Sequence, residues 1–368
     1  MLTFLSVTIL IYGSMHLYAL GKMWLALPHS FGLLLALILA GIALTFSPLL
    51  VWFLERQSWH RATVAAAWMS YSWMGYLFLF LCIGLIFDLS QTLATLLHSP
   101  WPLNATTAFG TVCLLALAAF SYGIIEARKI QIEEVTIVTP KLASGHVTIA
   151  QISDLHLGIM LGDDFLERVL AKLRELKPDI VVATGDIVDG QGDDFTALAR
   201  HFQSYVPPLG AYAVTGNHEY YAGLEHSLGF LRSAGFTVLR GEAAKAGGIV
   251  LTGVDDHTAS ATGQPAKLDT SKALASVGAD EFIVLLKHQP IVDGNARFDL
   301  QLSGHVHGGQ IFPFVYLTQL SYHVHTGLNE LTDGRKLYVS KGTGTWGPPI
   351  RLFAPPEITL ITIASSSK

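Results

Sequence analysis

The stretch "LQLSGHVHGGQIF", residues 300–312, poses the question from which the fold can be read. An apolar lead-in meets Gly304, two histidines follow one residue apart, and two more glycines follow them. Residues two apart on a strand share a face. On a strand end, His305 and His307 would therefore point the same way while Val306 packs behind them. Such a pair is either a set of ligands or two polar residues at a strand end, and one H-x-H does not distinguish them.

Repetition distinguishes them. "IAQISDLHLG" (149–158) places Asp154 and His156 after an apolar run, and "VVATGDIVDG" (181–190) places Asp186 and then Asp189. "YAVTGNHEYY" (212–221) places Asn217 and His218, and "VLLKHQP" (284–290) places His288. Gly185, Gly216 and Gly304 immediately precede three of these polar residues, where glycine allows a sharp turn and close backbone approach. In α/β folds, ligands gather at the carboxyl ends of strands. Imidazole, carboxylate and amide oxygen suit divalent cations of the Mn²⁺, Fe²⁺ or Zn²⁺ type. A shared carboxylate can bridge two such ions ~3.5–4 Å apart, where both act on one phosphoryl centre.

The elements around these clusters alternate. Strands are expected at "HVTIAQIS", "DIVVAT", "GAYAVT", "GGIVLTGV", "EFIVLLKH", "FDLQLSG", "KLYVSKG" and "EITLITI". Helices are expected at "DDFLERVLAKLRELKP", "FTALARHFQSY" and "LEHSLGFLRSAG". In the first helix Phe165, Leu166, Val169, Leu170, Leu173 and Leu176 share a face, with Asp163 or Asp164 as N-cap and Pro178 beyond its end. Helices come early and strands late, which predicts a layered α/β sandwich. The tail "ASSSK" reads as disordered.

Read in order, "DLH", "GDIVD", "GNHE", "KHQP" and "GHVH" resemble the complete motif series of the calcineurin-like metallophosphoesterase superfamily. The resemblance covers residues 146–363, and the ending "YVSKGTGTWGPPIRLFAPPEITLITI" is similar to its YaeI- or YkuE-like subgroup. It implies a four-layer α-β-β-α sandwich holding two divalent metal ions. Asp154, His156 and His307 would hold the first ion, and Asn217, His288 and His305 the second, with Asp186 bridging them. His218 would contact the phosphate and protonate the leaving oxygen, and a hydroxide shared by the ions would be the nucleophile. Some related enzymes cleave lipid precursors of the UDP-diacylglucosamine type.

Other residues have plainer readings. Asp189 is expected to orient a neighbour rather than to bind metal, and Glu219 likewise. Asp255, Asp256 and His257, and also His323 and His325, read as solvated loop residues. Trp346 and Arg351 read as packing residues within reach of substrate, and His201 and His226 as helix-face residues.

The N-terminal third is of another kind. Overall the chain of 368 residues is 51% hydrophobic and 14% charged, with a mean hydropathy of +0.44. From Met1 to Ile125 the only charged residues are Lys22, Glu55, Arg56, Arg61 and Asp88. Apolar segments at 3–20, 31–54, 64–87 and 103–125 approach or exceed the ~20 residues that cross a bilayer core. The expectation is an all-α membrane domain of about four spans over 1–127, a linker over 128–145 and a catalytic domain over 146–368. With four spans, Arg56, Arg61, Arg128 and Lys129 flank one side and Lys22 the other. The positive-inside bias then places the catalytic domain in the cytoplasm of a multi-pass inner or plasma membrane protein. Mid-span ionisable residues are expected to be absent, which argues against a transport pathway.

The net charge of −5, without a Lys/Arg-rich run, argues against a general nucleic-acid binder. Two cysteines, Cys82 and Cys113, exclude a disulfide framework or a cysteine zinc site. The expected partners are the lipid bilayer and a phosphoester substrate, with a lipid-linked one in view. The reading from another functional class is a catalytically weak metal-binding sensor or scaffold acting through the membrane domain.

Overall fold

The computed structural model describes residues 2–57, 59–98, 103–190, 195–292 and 294–366. The chain divides into two compact units, Met1–Glu126 with Gly347–Leu352, and Ala127–Trp346 with Phe353–Lys368.

The first unit is helical: α1 (Leu2–Ala26), α2 (Phe31–Thr45), α3 (Ser47–Arg56), α4 (His60–Leu96) and α5 (Ala105–Ala127, whose last residue falls in the second unit). Among the described residues, α4 and α5 are each long and apolar enough to cross a membrane. The pair α2 and α3, bent by 46°, would make a third span. The bend falls where Pro48 enters the chain, since a proline ring clashes with the carbonyl four residues earlier. The first expected span lies in α1, which is outside that set.

The burial pattern of α4 and α5 departs from that of a water-soluble helix. Small residues make up much of the inward side, Thr63, Ala67, Ser70, Gly75 and Gly84 on α4 and Ala108, Ala116 and Gly123 on α5, beside the larger Leu77, Leu79, Phe80 and Val112. Leu85, Ile86 and Leu89, and Leu114, Leu115 and Leu117, face outward. Helices in lipid pack this way, because close backbone approach rather than hydrophobic burial draws them together. One expectation fails here. His16 is ionisable and buried within α1. Its Nδ1 lies 2.9 Å from the Tyr12 carbonyl oxygen, and its Nε2 accepts from the Trp73 indole N–H at 2.8 Å. A neutral imidazole satisfies both bonds, so it is a packing residue. Lys22 pairs with Asp88, which also accepts from the Tyr18 hydroxyl at 2.8 Å.

The second unit holds β1 (Gln131–Thr139), β2 (His146–Ile152), α6 (Asp163–Leu176), β3 (Ile180–Thr184), α7 (Thr196–Gln203), β4 (Ala211–Val214), α8 (Asn217–Ala222), α9 (Leu224–Ser233) and β5 (Phe236–Val238). It continues with β6 (Glu242–Ala246), β7 (Ile249–Gly253), α10 (Thr258–Ala261), β8 (Phe282–Leu286), β9 (Leu300–Ser303), α11 (Val315–Tyr322), β10 (Gly327–Glu330), β11 (Lys336–Val339) and β12 (Glu357–Ser365). These strands form two mixed sheets, ordered β1-β12-β2-β3-β4-β5 and β10-β11-β9-β8-β7-β6.

The sheets pack face to face through Ile149, Val182 and Val214 on one side and Leu251, Val284 and Leu302 on the other. On the outer face of the first sheet lies α6, whose Phe165, Leu166, Val169, Leu170 and Leu173 are buried as their spacing requires. Its N-cap is Gly162; Asp163 and Asp164 instead occupy the first turn, where carboxylates complement the helix dipole. The outer face of the second sheet is covered largely by turns carrying Leu274, Val277 and Phe298.

Two readings are corrected. The segment taken as a linker contributes β1, paired in parallel with β12 from Gln131↔Glu357 to Thr139↔Ser365. Ala364 and Ser365 of the tail belong to β12, while Ser367 and Lys368 lie outside the described residues.

Candidate metal centre

β2, β3 and β4 run parallel in the first sheet, as β7, β8 and β9 do in the second. The carboxyl ends of five of these strands carry the polar clusters. Asp154 and His156 follow β2, Asp186 follows β3, Asn217 and His218 follow β4, His288 follows β8, and His305 and His307 follow β9.

Two groups of donor atoms result, each within 4.8 Å: Asp154 with His156 and His307, and Asp186 with His288 and His305. In the first, the Nε2 atoms of His156 and His307 lie 3.1 Å apart, and His307 Nε2 is 3.4 Å from Asp154 Oδ1. In the second, His288 Nε2 lies 3.1 Å from Asp186 Oδ2, from Asn217 Oδ1 and from His305 Nδ1. Asp186 Oδ2 also comes within 3.9 Å of His156 Nε2, so this carboxylate reaches both groups. Lone-pair atoms from buried and, at His305, half-buried side chains thus converge, as ligands to divalent cations do. His288 Nδ1 lies 2.8 Å from the Thr184 carbonyl oxygen; donating there leaves Nε2 free to ligate.

A third group contains Asp189, His156 and His218. Asp189 Oδ1 lies 3.0 Å from His218 Nδ1, and Asp189 Oδ2 lies 3.6 Å from His156 Nδ1. Asp189 thus lies within hydrogen-bond reach of His218, an arrangement in which it can orient that ring. Burial alone would lower the His218 imidazole, but the carboxylates of Asp186 and Asp189 outweigh it and push the pKa up to about 9. Burial likewise opposes His288, whose pKa Asp186 nevertheless raises well above the usual range. Burial and the His288 charge bring His305 down to about 4. Asp186 is held well below the carboxylate range, because His288, His218 and His156 overcome its burial.

The backbone explains the convergence differently from the strand argument. Residues 305–307 lie beyond β9, and His305 (φ 73°) and His307 (φ 50°) are both left-handed. Val306 does pack, against Leu337 and Val339. Asp154, His156 and Asp186 are left-handed as well, at φ 54°, 48° and 53°. Non-glycine residues adopt this region at a cost and cluster at functional sites when they do. Gly185 (φ 92°) shows why the preceding glycine matters, since a Cβ there would lie 2.6 Å from His288 Nδ1.

Several readings change. Asp255 and Asp256 are buried rather than solvated. Asp255 takes a two-pronged ion pair from Arg240 at 2.7 and 2.9 Å, and Asp256 accepts from the Gln289 amide at 3.0 and 3.1 Å. Arg351 keeps its packing reading: it is fully buried, and its backbone N–H donates to the Gly123 carbonyl within the helical unit. Trp346 is 54% exposed, and its ring lies 5.8 Å from that of His218. Sequence reasoning missed Tyr221, 5.4 Å from His218, and Tyr322, 5.3 Å from His305. An aromatic residue has no signature that separates lining a site from packing.

The calcineurin-like phosphoesterase family profile matches residues 147–309. An uncharacterized metallophosphoesterase from Aquifex aeolicus is 42% identical over 254 residues, covering 68% of this chain and 97% of that protein. A Danio rerio transmembrane protein with metallophosphoesterase domain is 32% identical over 318 residues, covering 80% of this chain and 73% of the relative. The Bacillus subtilis metallophosphoesterase YkuE is 32% identical over 286 residues, covering 70% and 96%. With strand ends that bring these donor groups together and relatives this similar over nearly their whole lengths, the chain belongs to the calcineurin-like metallophosphoesterase family.

Proposed function

We propose that this protein is a membrane-anchored phosphodiesterase that uses two divalent metal ions to hydrolyse a lipid-linked phosphodiester or pyrophosphate. The observation that carries the reading is the pair of donor groups shared by Asp186, with His218 beside them. Asp154, His156 and His307 would hold one ion, and Asn217, His288 and His305 the other. Such ions supply Lewis-acid stabilisation of the phosphoryl oxygens and a water acidic enough to attack near neutral pH. Mn²⁺, Fe²⁺ and Zn²⁺ all suit these donors.

The chain's own residues supply the remaining chemistry. Asp189 engages His218 Nδ1, which leaves Nε2 as the nitrogen available to a substrate. Against its burial, Asp186 and Asp189 push this imidazole up to about 9 in the metal-free site, and in its protonated form it can donate to a leaving oxygen. The left-handed backbone at Asp154, His156, Asp186, His305 and His307 holds the ligands in place before substrate arrives. The anchor reading rests on α4 and α5 and on the transmembrane relative. Placement of the catalytic unit in the cytoplasm rests on the basic residues Arg56, Arg61, Arg128 and Lys129.

Purified full-length protein with Mn²⁺ is expected to hydrolyse a chromogenic phosphodiester. Asp186→Asn and His218→Ala should each lower turnover by roughly 10²-fold or more. Full activity in both variants would overturn the assignment. Inactivity with every metal and lipid phosphoester tried would favour the sensor reading. A reporter fused after Lys368 should be active only in its cytoplasmic form.

A further inference from the structure

The surface helix α11 departs from what water requires. Between Asp299 and Glu330 the chain holds no Asp, Glu, Lys or Arg, and α11 has no buried residue. Its outward side presents Tyr316 (59% exposed), Leu317 (55%) and Leu320 (70%). A helix facing water carries polar and charged residues on its outer side. An uncharged face of aromatic and leucine side chains suits the boundary between lipid headgroups and acyl chains.

This face is tied to the metal centre. On the inner side of α11 the Tyr322 ring packs 5.3 Å from His305. In the turn before α11, the Gln310 side chain donates to the Trp346 carbonyl at 3.0 Å and accepts from the Trp346 N–H at 2.9 Å. Trp346 in turn faces His218. Exposed Phe353 packs its ring 5.8 Å from Phe312, extending the apolar surface.

We propose that the outer face of α11 docks on a lipid bilayer, and that amphiphilic phosphoesters reach the metal centre across it. A bilayer is favoured over a second copy of the chain for one reason. The same chain carries α4 and α5, both long and apolar enough to cross a membrane. Docking stands independently of the reaction proposed above; the route of the substrate rests on that reading.

The test uses full-length protein carrying Cys82→Ser and Cys113→Ser, reconstituted in phosphatidylcholine vesicles. An environment-sensitive fluorophore is attached at Leu317→Cys or, as the control in the same unit, at Val206→Cys, a position 78% exposed. Brominated lipid should quench the label at 317 at least twofold and leave the label at 206 unchanged. No quenching at 317 overturns the proposal. So does shielding of that label that follows protein concentration and ignores brominated lipid, which is the signature of a second copy. For the substrate route, Leu317→Asp with Leu320→Asp should lower the ratio of vesicle-borne to soluble phosphodiester turnover at least tenfold. An unchanged ratio overturns the route. If no phosphoester is hydrolysed, the proposed reaction falls while the quenching result still decides docking.

Discussion

Glu219 shows how much of this centre depends on a residue that ligates nothing. It is fully buried, and its carboxylate accepts four backbone N–H groups: Asp186 at 2.9 Å, Ile187 at 2.7 Å, Val188 at 3.2 Å and Gly216 at 2.6 Å. The first three follow β3 and the fourth follows β4. One carboxylate thus clamps the loop of Asp186 to the loop of Asn217 and His218. Burial and the neighbouring Asp186 raise its pKa, while the backbone donors pull the other way. Glu219→Ala leaves four buried donors without an acceptor, each costing about 1–3 kcal/mol. With partial relaxation, a loss of about 3–5 kcal/mol is expected. Mn²⁺ affinity should fall by roughly 10–100-fold, as when other supports of metal ligands are removed. Calorimetric Mn²⁺ titration checks the second point; wild-type affinity in Glu219→Ala would refute the clamp. The candidate ligands were legible in the sequence because each follows an apolar run. The left-handed backbone at five of them was not, since Asp and His at positive φ leave no local pattern.

At the scale of elements, legibility follows position in the sheet. The eight strands read from apolar runs are β2, β3, β4, β7, β8, β9, β11 and β12, all interior to the two sheets. Those not read as strands are β1, β5, β6 and β10, the four edges. An edge strand is half solvated and needs no apolar run: β6 is "EAAKA", β10 is "GLNE", and β1 alternates weakly. Burial of Asp255 was illegible for a related reason, because its partner Arg240 arrives from a separate loop. The helical unit carries a prediction of its own. Ala116 on α5 is fully buried, whereas the adjacent Leu117 is 53% exposed. Overpacking at Ala116→Leu should cost about 1–3 kcal/mol, and Leu117→Ala should cost little. Thermal aggregation of the full-length protein in detergent measures both. The reverse ranking would mean that the large residues, not the small ones, face the interior of α5.

At the scale of the whole molecule, metal and protons compete for the same charge. Buried Asp154, Asp186 and Glu219 require compensating positive charge, which protonated imidazoles can supply when metal is stripped. His218 has its folded pKa raised to about 9, against burial, by Asp186 and Asp189. A raised pKa of this kind stabilises fully below the unfolded value of about 6.5 and is lost as pH rises through about 9. His288 acts in the same direction, its pKa lying well above the usual range. His305 acts oppositely: burial and His288 depress its pKa to about 4, which costs stability as pH falls from about 6.5 toward 4. Chelated protein should therefore be most stable near neutrality and weaken toward pH 9. Saturating Mn²⁺ is expected to replace those protons, its binding strengthening as the candidate ligands deprotonate. At a hundredfold excess over Kd it adds about 2.7 kcal/mol. The expected result is a gap between Mn²⁺-loaded and chelated protein that widens from pH 6.5 to pH 9. Hydrogen exchange in β3 and β8 reports it from the unit that holds the site. A gap that stays constant over this range would show that the clustered imidazoles do not carry the compensating charge.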